Sequence, residues 1–129
     1  MKRYHLLVVD DDLDDHELIR FALSQIATNI IVEFATSGLQ ALNWLGYNYS
    51  AVDMILLDLN MPVMNGVEFL QRKQSLPDIS EIPVIIHSTN IQIALKERVC
   101  TPDVKKIITK ASSMDKFIEN LNEALQACL

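Results

Sequence analysis

Carboxylates, a hydroxyl and an amine stand at the ends of separate apolar runs in this sequence. Asp10, Asp11 and Asp12 follow the run Leu6–Val9, with Asp14 and Asp15 close behind. Asp58 follows Met54–Leu57 and is succeeded by Leu59-Asn60-Met61-Pro62. His87, Ser88 and Thr89 follow Val84–Ile86, and Lys110 follows a weaker run, Lys106–Thr109. Carboxylates packed together repel one another, which raises their pKa values or demands a cation. Oxygen-only donors select a hard ion, and Mg²⁺ is the usual choice where phosphoryl groups are handled. A lysine and a hydroxyl then supply a positive charge and a hydrogen bond for the remaining oxygens of a tetrahedral anion. Phosphoryl transfer needs little beyond such positioning and charge stabilisation. Asp58, alone at its strand end, is the candidate nucleophile.

The elements that must bring these residues together are legible in the hydrophobic pattern. The runs, with Ile30–Phe34 as a further one broken by Glu33, are short and rich in β-branched residues, which suits strands buried on both faces. Between them lie helical periods: Leu18, Phe21, Ala22 and Ile26 share one spacing, Ile91, Leu95 and Val99 a second, and Phe117, Leu121, Ala124, Leu125 and Cys128 a third. Ser37 with Gln40 and Ser112 with Asp115 have capping-box spacing, Asn65 precedes Gly66 as a further helix start, and Asn90 is a candidate cap. The order is βα, five times over. That predicts an α/β fold, a doubly wound five-stranded parallel sheet with helices on both faces. In such a sheet all strands exit at one edge, where ligands bind at the topological switch point.

Composition narrows the classes. The chain has 129 residues, half of them apolar and 22% charged, enough for one domain with a real core. Its net charge of −6 argues against a nucleic-acid surface, which needs clustered Lys and Arg. No apolar run approaches a membrane span, and Met1–Val9 is too short for a signal peptide. Cys100 and Cys128 follow no metal or redox spacing, as in an ordinary cytoplasmic protein.

The four motifs LLVVDDD (Leu6–Asp12), MILLDLNMPVMNG (Met54–Gly66), PVIIHST (Pro83–Thr89) and IITK (Ile107–Lys110) together resemble the receiver domain of two-component response regulators. The resemblance extends over essentially the whole chain, 1–129, and implies a flavodoxin-like sheet order of 2-1-3-4-5. It implies that Asp10 and Asp11 hold Mg²⁺ directly or through water together with Asp58, that Asp58 is also the phosphoacceptor, and that Asn60 gives the metal its backbone carbonyl. Ser88 would be the switch hydroxyl and Lys110 the phosphate-binding lysine. The implied function is that of a stand-alone response regulator with no output domain. It would not be an enzyme in its own right, but would be phosphorylated by a histidine kinase or phosphotransfer protein and signal to an output protein. Homodimerisation through the face of the fourth helix, fifth strand and fifth helix is left open. The alternative is a pseudo-receiver, a protein-binding module that is never phosphorylated. An aspartate-nucleophile phosphatase is disfavoured because Asn60 stands where its second Asp belongs, and a flavin module because no phosphate loop follows the first strand.

Some residues have blander roles on their own spacing. Asp12, Asp14 and Asp15 read as helix caps or dipole partners. His87 should point away from Ser88 and pack, while His5 and His16 are incidental. Met61 and Met64 read as loop packing, and Trp44 and Leu45 as packing at a helix end near Gly46. Three positions depart from the family pattern. Ala111 replaces the proline that usually follows the lysine across a cis bond, a geometry costing about 2.5–4 kcal/mol without proline. Thr89 stands where alanine or glycine is common, narrowing access to Asp58, and Ile107 takes the place of the usual switch aromatic.

Overall fold

Each of the five apolar runs forms a strand in the computed structural model, which describes residues 3–26, 29–88, 102–110 and 113–128. The strands are β1 (Tyr4–Val9), β2 (Ile30–Ala35), β3 (Met54–Asp58), β4 (Val84–Ser88) and β5 (Val104–Thr109). All pair in parallel, in the order β2-β1-β3-β4-β5. The helices are α1 (Leu13–Ile26), α2 (Gly38–Asn48), α3 (Gly66–Gln74) and α4 (Met114–Cys128). The expected helix carrying Ile91, Leu95 and Val99 lies outside the described residues, as do Thr89, Cys100, Ala111 and Ser112.

Period-two alternation divides the sheet's side chains between two cores. Leu7, Val9, Ile55, Leu57 and Ile86 face α2 and α3, meeting Ala41, Leu45, Phe69 and Leu70. Leu6, Val8, Met54, Leu56 and Ile85 face α1 and α4, meeting Ile19, Ala22, Phe117 and Leu121. Burying one such aliphatic side chain stabilises the fold by about 1.5–3 kcal/mol. Burial on both faces holds for β3 and β4 throughout and for most of β1. It fails for β2 and β5, because they are the edges and each keeps residues in solvent. In β5 the register also skips Lys105, with Val84 paired to Val104 and Ile85 to Lys106.

The first helix is turned from its expected phase. Of the expected face, Ala22 is buried and Ile26 packs against the core, but Leu18 and Phe21 are about half exposed (48% and 52%), and His16, Ile19 and Leu23 are buried beside Ala22. The three-residue spacing is right, but its phase is shifted by one residue, about 100° of helix rotation. In α4 the expected face holds, with Phe117, Leu121, Ala124 and Leu125 buried.

Helix starts follow their caps. Ser37 Oγ accepts from Gln40 N, and Asn65 with Glu68 makes a reciprocal capping box. At α4 the cap is Ser113, one residue past the expected Ser112, with its Oγ accepting from Lys116 N. The second helix runs through Gly46 to Asn48, so Trp44 and Leu45 pack mid-helix rather than at an end.

Candidate functional site

The carboxyl ends of β1, β3 and β5 converge as parallel winding requires. β1 ends at Val9, so Asp10 is the first residue beyond the strand. The third strand is one residue longer than its apolar run and ends on Asp58 itself, in register with His87. Lys110 leaves β5 directly, its amide held by Ser88 O at 2.7 Å.

Three carboxylates, from Asp10, Asp15 and Asp58, each present an oxygen within 4.8 Å of the others. The Lys110 ammonium lies among them: Nζ is 2.5 Å from Asp15 Oδ2, 3.7 Å from Asp58 Oδ2 and 3.8 Å from Asp10 Oδ2. Backbone donors fix the other carboxylate oxygens. Asp58 Oδ1 accepts from Asn60 N at 3.1 Å, and Asp10 Oδ1 accepts from Asp12 N at 2.9 Å. Asp10 Oδ2 is buried with no hydrogen-bond partner. An orphaned buried carboxylate oxygen beside two further acids is a fitting donor set for a hard cation. Asp11 and Asn60 line the same cleft; Ser88, buried at the end of β4, is not part of that lining.

Electrostatics follow from this geometry. Burial pushes the Asp10 pKa up to about 7, against the lowering effect of the Asp12 N–H, with the Asp58 charge pushing it further up. Asp58 is also raised, first by burial, while the Asn60 N–H and Lys110 pull the other way. Burial opposes the charge on Lys110, yet its bond to Asp15 and the charges of Asp58 and Asp10 hold its pKa above the ordinary lysine value. A cation must displace the proton that Asp10 retains near neutrality. Mg²⁺ affinity is therefore expected to rise as pH increases from 6 to 8, by up to tenfold per unit below the Asp10 pKa, with proton release. Calorimetry in buffers of different ionisation enthalpy measures both; an affinity flat across that range would contradict the assignment. Without metal the sign for stability is opposite. The folded chain binds more protons than the unfolded one between the ordinary aspartate pKa and about 7, so stability falls as pH rises through that window.

Two residues take larger parts than their spacing suggested. Asp15 is a member of the carboxylate cluster and the nearest partner of Lys110, not a helix cap. Asp12 is the cap, with Oδ1 accepting from Asp14 N. His16 is buried against Phe34, ring centroids 4.7 Å apart, and its Nε2 lies 2.6 Å from Asp10 O. A carbonyl oxygen only accepts, so Nε2 carries the proton and ties the first turn of α1 to the β1–α1 loop. The signal for both residues was the phase of α1, since positions 15 and 16 precede the buried Ile19 by four and three residues.

His87 packs as expected: it stacks on Phe117 at 5.0 Å, and burial lowers its pKa to about 4, keeping it neutral. Met61 and Met64 are likewise buried in the core of the α2 and α3 side. That loop is tightly built. A Cβ on Gly66 would lie 2.6 Å from Leu59 Cα and 2.8 Å from Asp58 O, so glycine lets α3 start directly against the residue that carries the central carboxylate. In the same loop Val63 adopts φ 65°, a strained conformation for a β-branched residue.

Comparison with known proteins agrees with this arrangement. Residues 6–122 match the response regulator receiver domain family. The two-component response regulator ORR12 of Oryza sativa subsp. japonica is 36% identical over 90 residues, covering 70% of this chain and 72% of that protein. The cyclic di-GMP phosphodiesterase response regulator RpfG of Xanthomonas campestris is 34% identical over 82 residues; the match covers 64% of this chain but only 21% of that protein. Among solved structures, the phosphorylated cyanobacterial phytochrome response regulator RcpA superposes with a TM-score of 0.81 at 28% identity, covering 94% of this chain and 90% of that one. The chemotaxis response regulator CheY4 of Vibrio cholerae shares the fold at a TM-score of 0.81 and 24% identity, covering 99% of this chain and 100% of that one. No helix among the described residues is long and apolar enough to cross a membrane. With the sheet order, the acidic edge and the match over residues 6–122 all in agreement, the chain belongs to the family of response regulator receiver domains, which are signalling modules.

Proposed function

We propose that Asp58 accepts a phosphoryl group from a histidine kinase or phosphotransfer protein in a Mg²⁺-dependent reaction, and that the cytoplasmic receiver so modified signals through altered protein contacts. The observation that carries this reading is Asp58 itself. It is a carboxylate only 4% exposed at the end of a central strand, with one oxygen tied to Asn60 N and the other turned toward Lys110. A bond forms from that free oxygen to phosphorus as the donor's P–N bond breaks and the donor imidazole keeps the proton. The residues fit Mg²⁺: Asp10 and Asp58 would hold it through carboxylates, Asp11 through water from the cleft lip, and Asn60 through its carbonyl. When bound, the ion offsets the charge on the acids and the transferred oxygens. Lys110 stands within reach of a group on Asp58, and Ser88, at the adjacent strand end, would contact a further oxygen. Leu13 on the lip of the cleft and Leu18 beside it are exposed, which supplies an apolar footing for a protein donor.

The test is intact-protein mass after incubation with a small phosphodonor such as acetyl phosphate, with and without Mg²⁺. One added phosphoryl group that needs Mg²⁺ is the expected result. No addition together with no Mg²⁺ binding would indicate instead a pseudo-receiver that acts by binding alone.

A further inference from the structure

Among the contacts of Lys110, the one to Asp15 is shortest. Its Nζ makes a hydrogen-bonded ion pair with Asp15 at 2.5 Å, whereas Asp58 and Asp10, at 3.7 and 3.8 Å, lie beyond hydrogen-bond range. A hydrogen-bonded charge pair at this separation is considerably stronger than one a full ångström longer in the same partly dry site. Asp15 sits on the first turn of α1 and is only 15% exposed, so it holds the ammonium from a helix rather than from a loop.

We propose that Asp15 is a latch on Lys110, a positioning residue that parks the ammonium short of Asp58 until a phosphoryl group draws it across. This rests on the reading of Asp58 as phosphoacceptor. In the latched state Lys110 already has a carboxylate partner, so engaging phosphoryl oxygens means exchanging one anion for another. Such a competing state lowers the apparent affinity for the oxyanion by the fraction of molecules left unlatched. The latch therefore keeps the resting receiver from being driven by weak anions, and makes the pull of a covalently held phosphoryl group the event that moves Lys110 and, with it, the end of β5. A rival role for Asp15 is as a third carboxylate on the metal, since its oxygen lies within 4.8 Å of those of Asp10 and Asp58. The latch acts through Lys110, and the ligand role acts through the ion.

The experiment measures, on the full chain by calorimetry, the affinity for Mg²⁺ alone and then for beryllium fluoride, a tetrahedral phosphoryl mimic, at saturating Mg²⁺. In Asp15→Asn, beryllium fluoride is expected to bind about tenfold more tightly, equivalent to about 1.4 kcal/mol, with Mg²⁺ affinity changed less than about threefold. Asp15→Glu keeps the charge and should return toward wild type. Asp14→Asn removes the same charge one residue away and should shift binding less than about twofold, because exposed charges are screened. Mg²⁺ affinity weakened about tenfold or more, with no gain for beryllium fluoride, would assign Asp15 to the metal and overturn the latch. Equal gains in Asp15→Asn and Asp14→Asn would reduce the effect to bulk charge and also overturn it. If wild type binds the mimic and Asp15→Asn binds it no better, the latch alone falls; if wild type binds none with Mg²⁺ present, the phosphoacceptor reading falls with it.

Discussion

Asp58→Asn is expected to abolish phosphoryl uptake while making the metal-free protein more stable. Removal of the proposed nucleophile should lower labelling by at least about 10³-fold. Asp15 is held by Lys110 and Asp11 stands at the cleft lip; Asp10 also has an oxygen without a partner, but that oxygen is buried, whereas Asp58 lines the cleft. The stability change has the opposite sign from that of most core substitutions. Asp58 has a pKa above its ordinary value, chiefly because burial penalises its charge. Above the ordinary carboxylate range the folded chain thus carries a cost that a neutral isostere escapes, and Asn keeps an oxygen to accept from Asn60 N. A gain of about 1 kcal/mol, or roughly 4 °C in Tm, is expected at pH 8 without Mg²⁺. It should shrink as pH falls and the wild-type carboxyl takes up its proton, and shrink again in Mg²⁺, which should stabilise the wild type more than the variant. Label retained by Asp58→Asn would move the acceptor elsewhere. A Tm lowered at pH 8 would show that the ion pairs of Asp58 outweigh its desolvation.

The second large effect lies at the opposite edge of the sheet. Lys73, in the last turn of α3, is wholly buried, and its Nζ donates to Asp103 Oδ2 at 2.5 Å and to Ser80 O at 3.0 Å. Asp103 immediately precedes β5, and its carbonyl accepts the amide that opens β4, from Val84. One ion pair thus fastens the end of α3 to the starts of both strands that lead to Ser88 and Lys110. Burial lowers the Lys73 pKa against the pull of Asp103, so the ammonium depends on that partner to stay charged. Lys73→Met should destabilise the fold by about 3–5 kcal/mol, because it strands a buried carboxylate. Asp103 Oδ1 already has no partner among the described residues, which leaves the stranded group little relief. Lys73→Met with Asp103→Leu should recover most of the loss, since an apolar pair of similar volume has no charge to desolvate. Urea unfolding of the three proteins measures the cycle. A single variant losing less than about 1 kcal/mol would show that water reaches the pair.

Neither Lys73 nor Asp103 announces itself in the sequence. A lysine near the end of a helix usually lies in solvent beside the helix dipole, and only the meeting of α3 with the β4 and β5 starts buries this one. The same limit explains the site. Asp10, Asp58 and Lys110 were legible because each follows an apolar run, and parallel winding sends every such run to one edge. Their type and order along the chain also carried the family likeness, and the strand order followed from it.

What the sequence could not determine is the rotation of a first helix whose apolar residues spread over more than one face. Leu18, Phe21, Ala22 and Ile26 share one spacing, yet Ile19 and Leu23 stand one residue from Leu18 and Ala22, and local periodicity does not decide which of them turn inward. The choice was made by packing: Ile19, Ala22 and Leu23 fill the layer against Leu6, Val8 and Leu56. That rotation carried Asp15 and His16 inward, one onto Lys110 and the other under Asp10, and left Leu18 and Phe21 on the surface. Residue types and strand ends on their own pointed to the chemistry proposed for this chain. The tertiary structure alone decided which acid holds the lysine, because a contact between residues 15 and 110 is set by how two helices and a sheet fill space rather than by anything local to either residue.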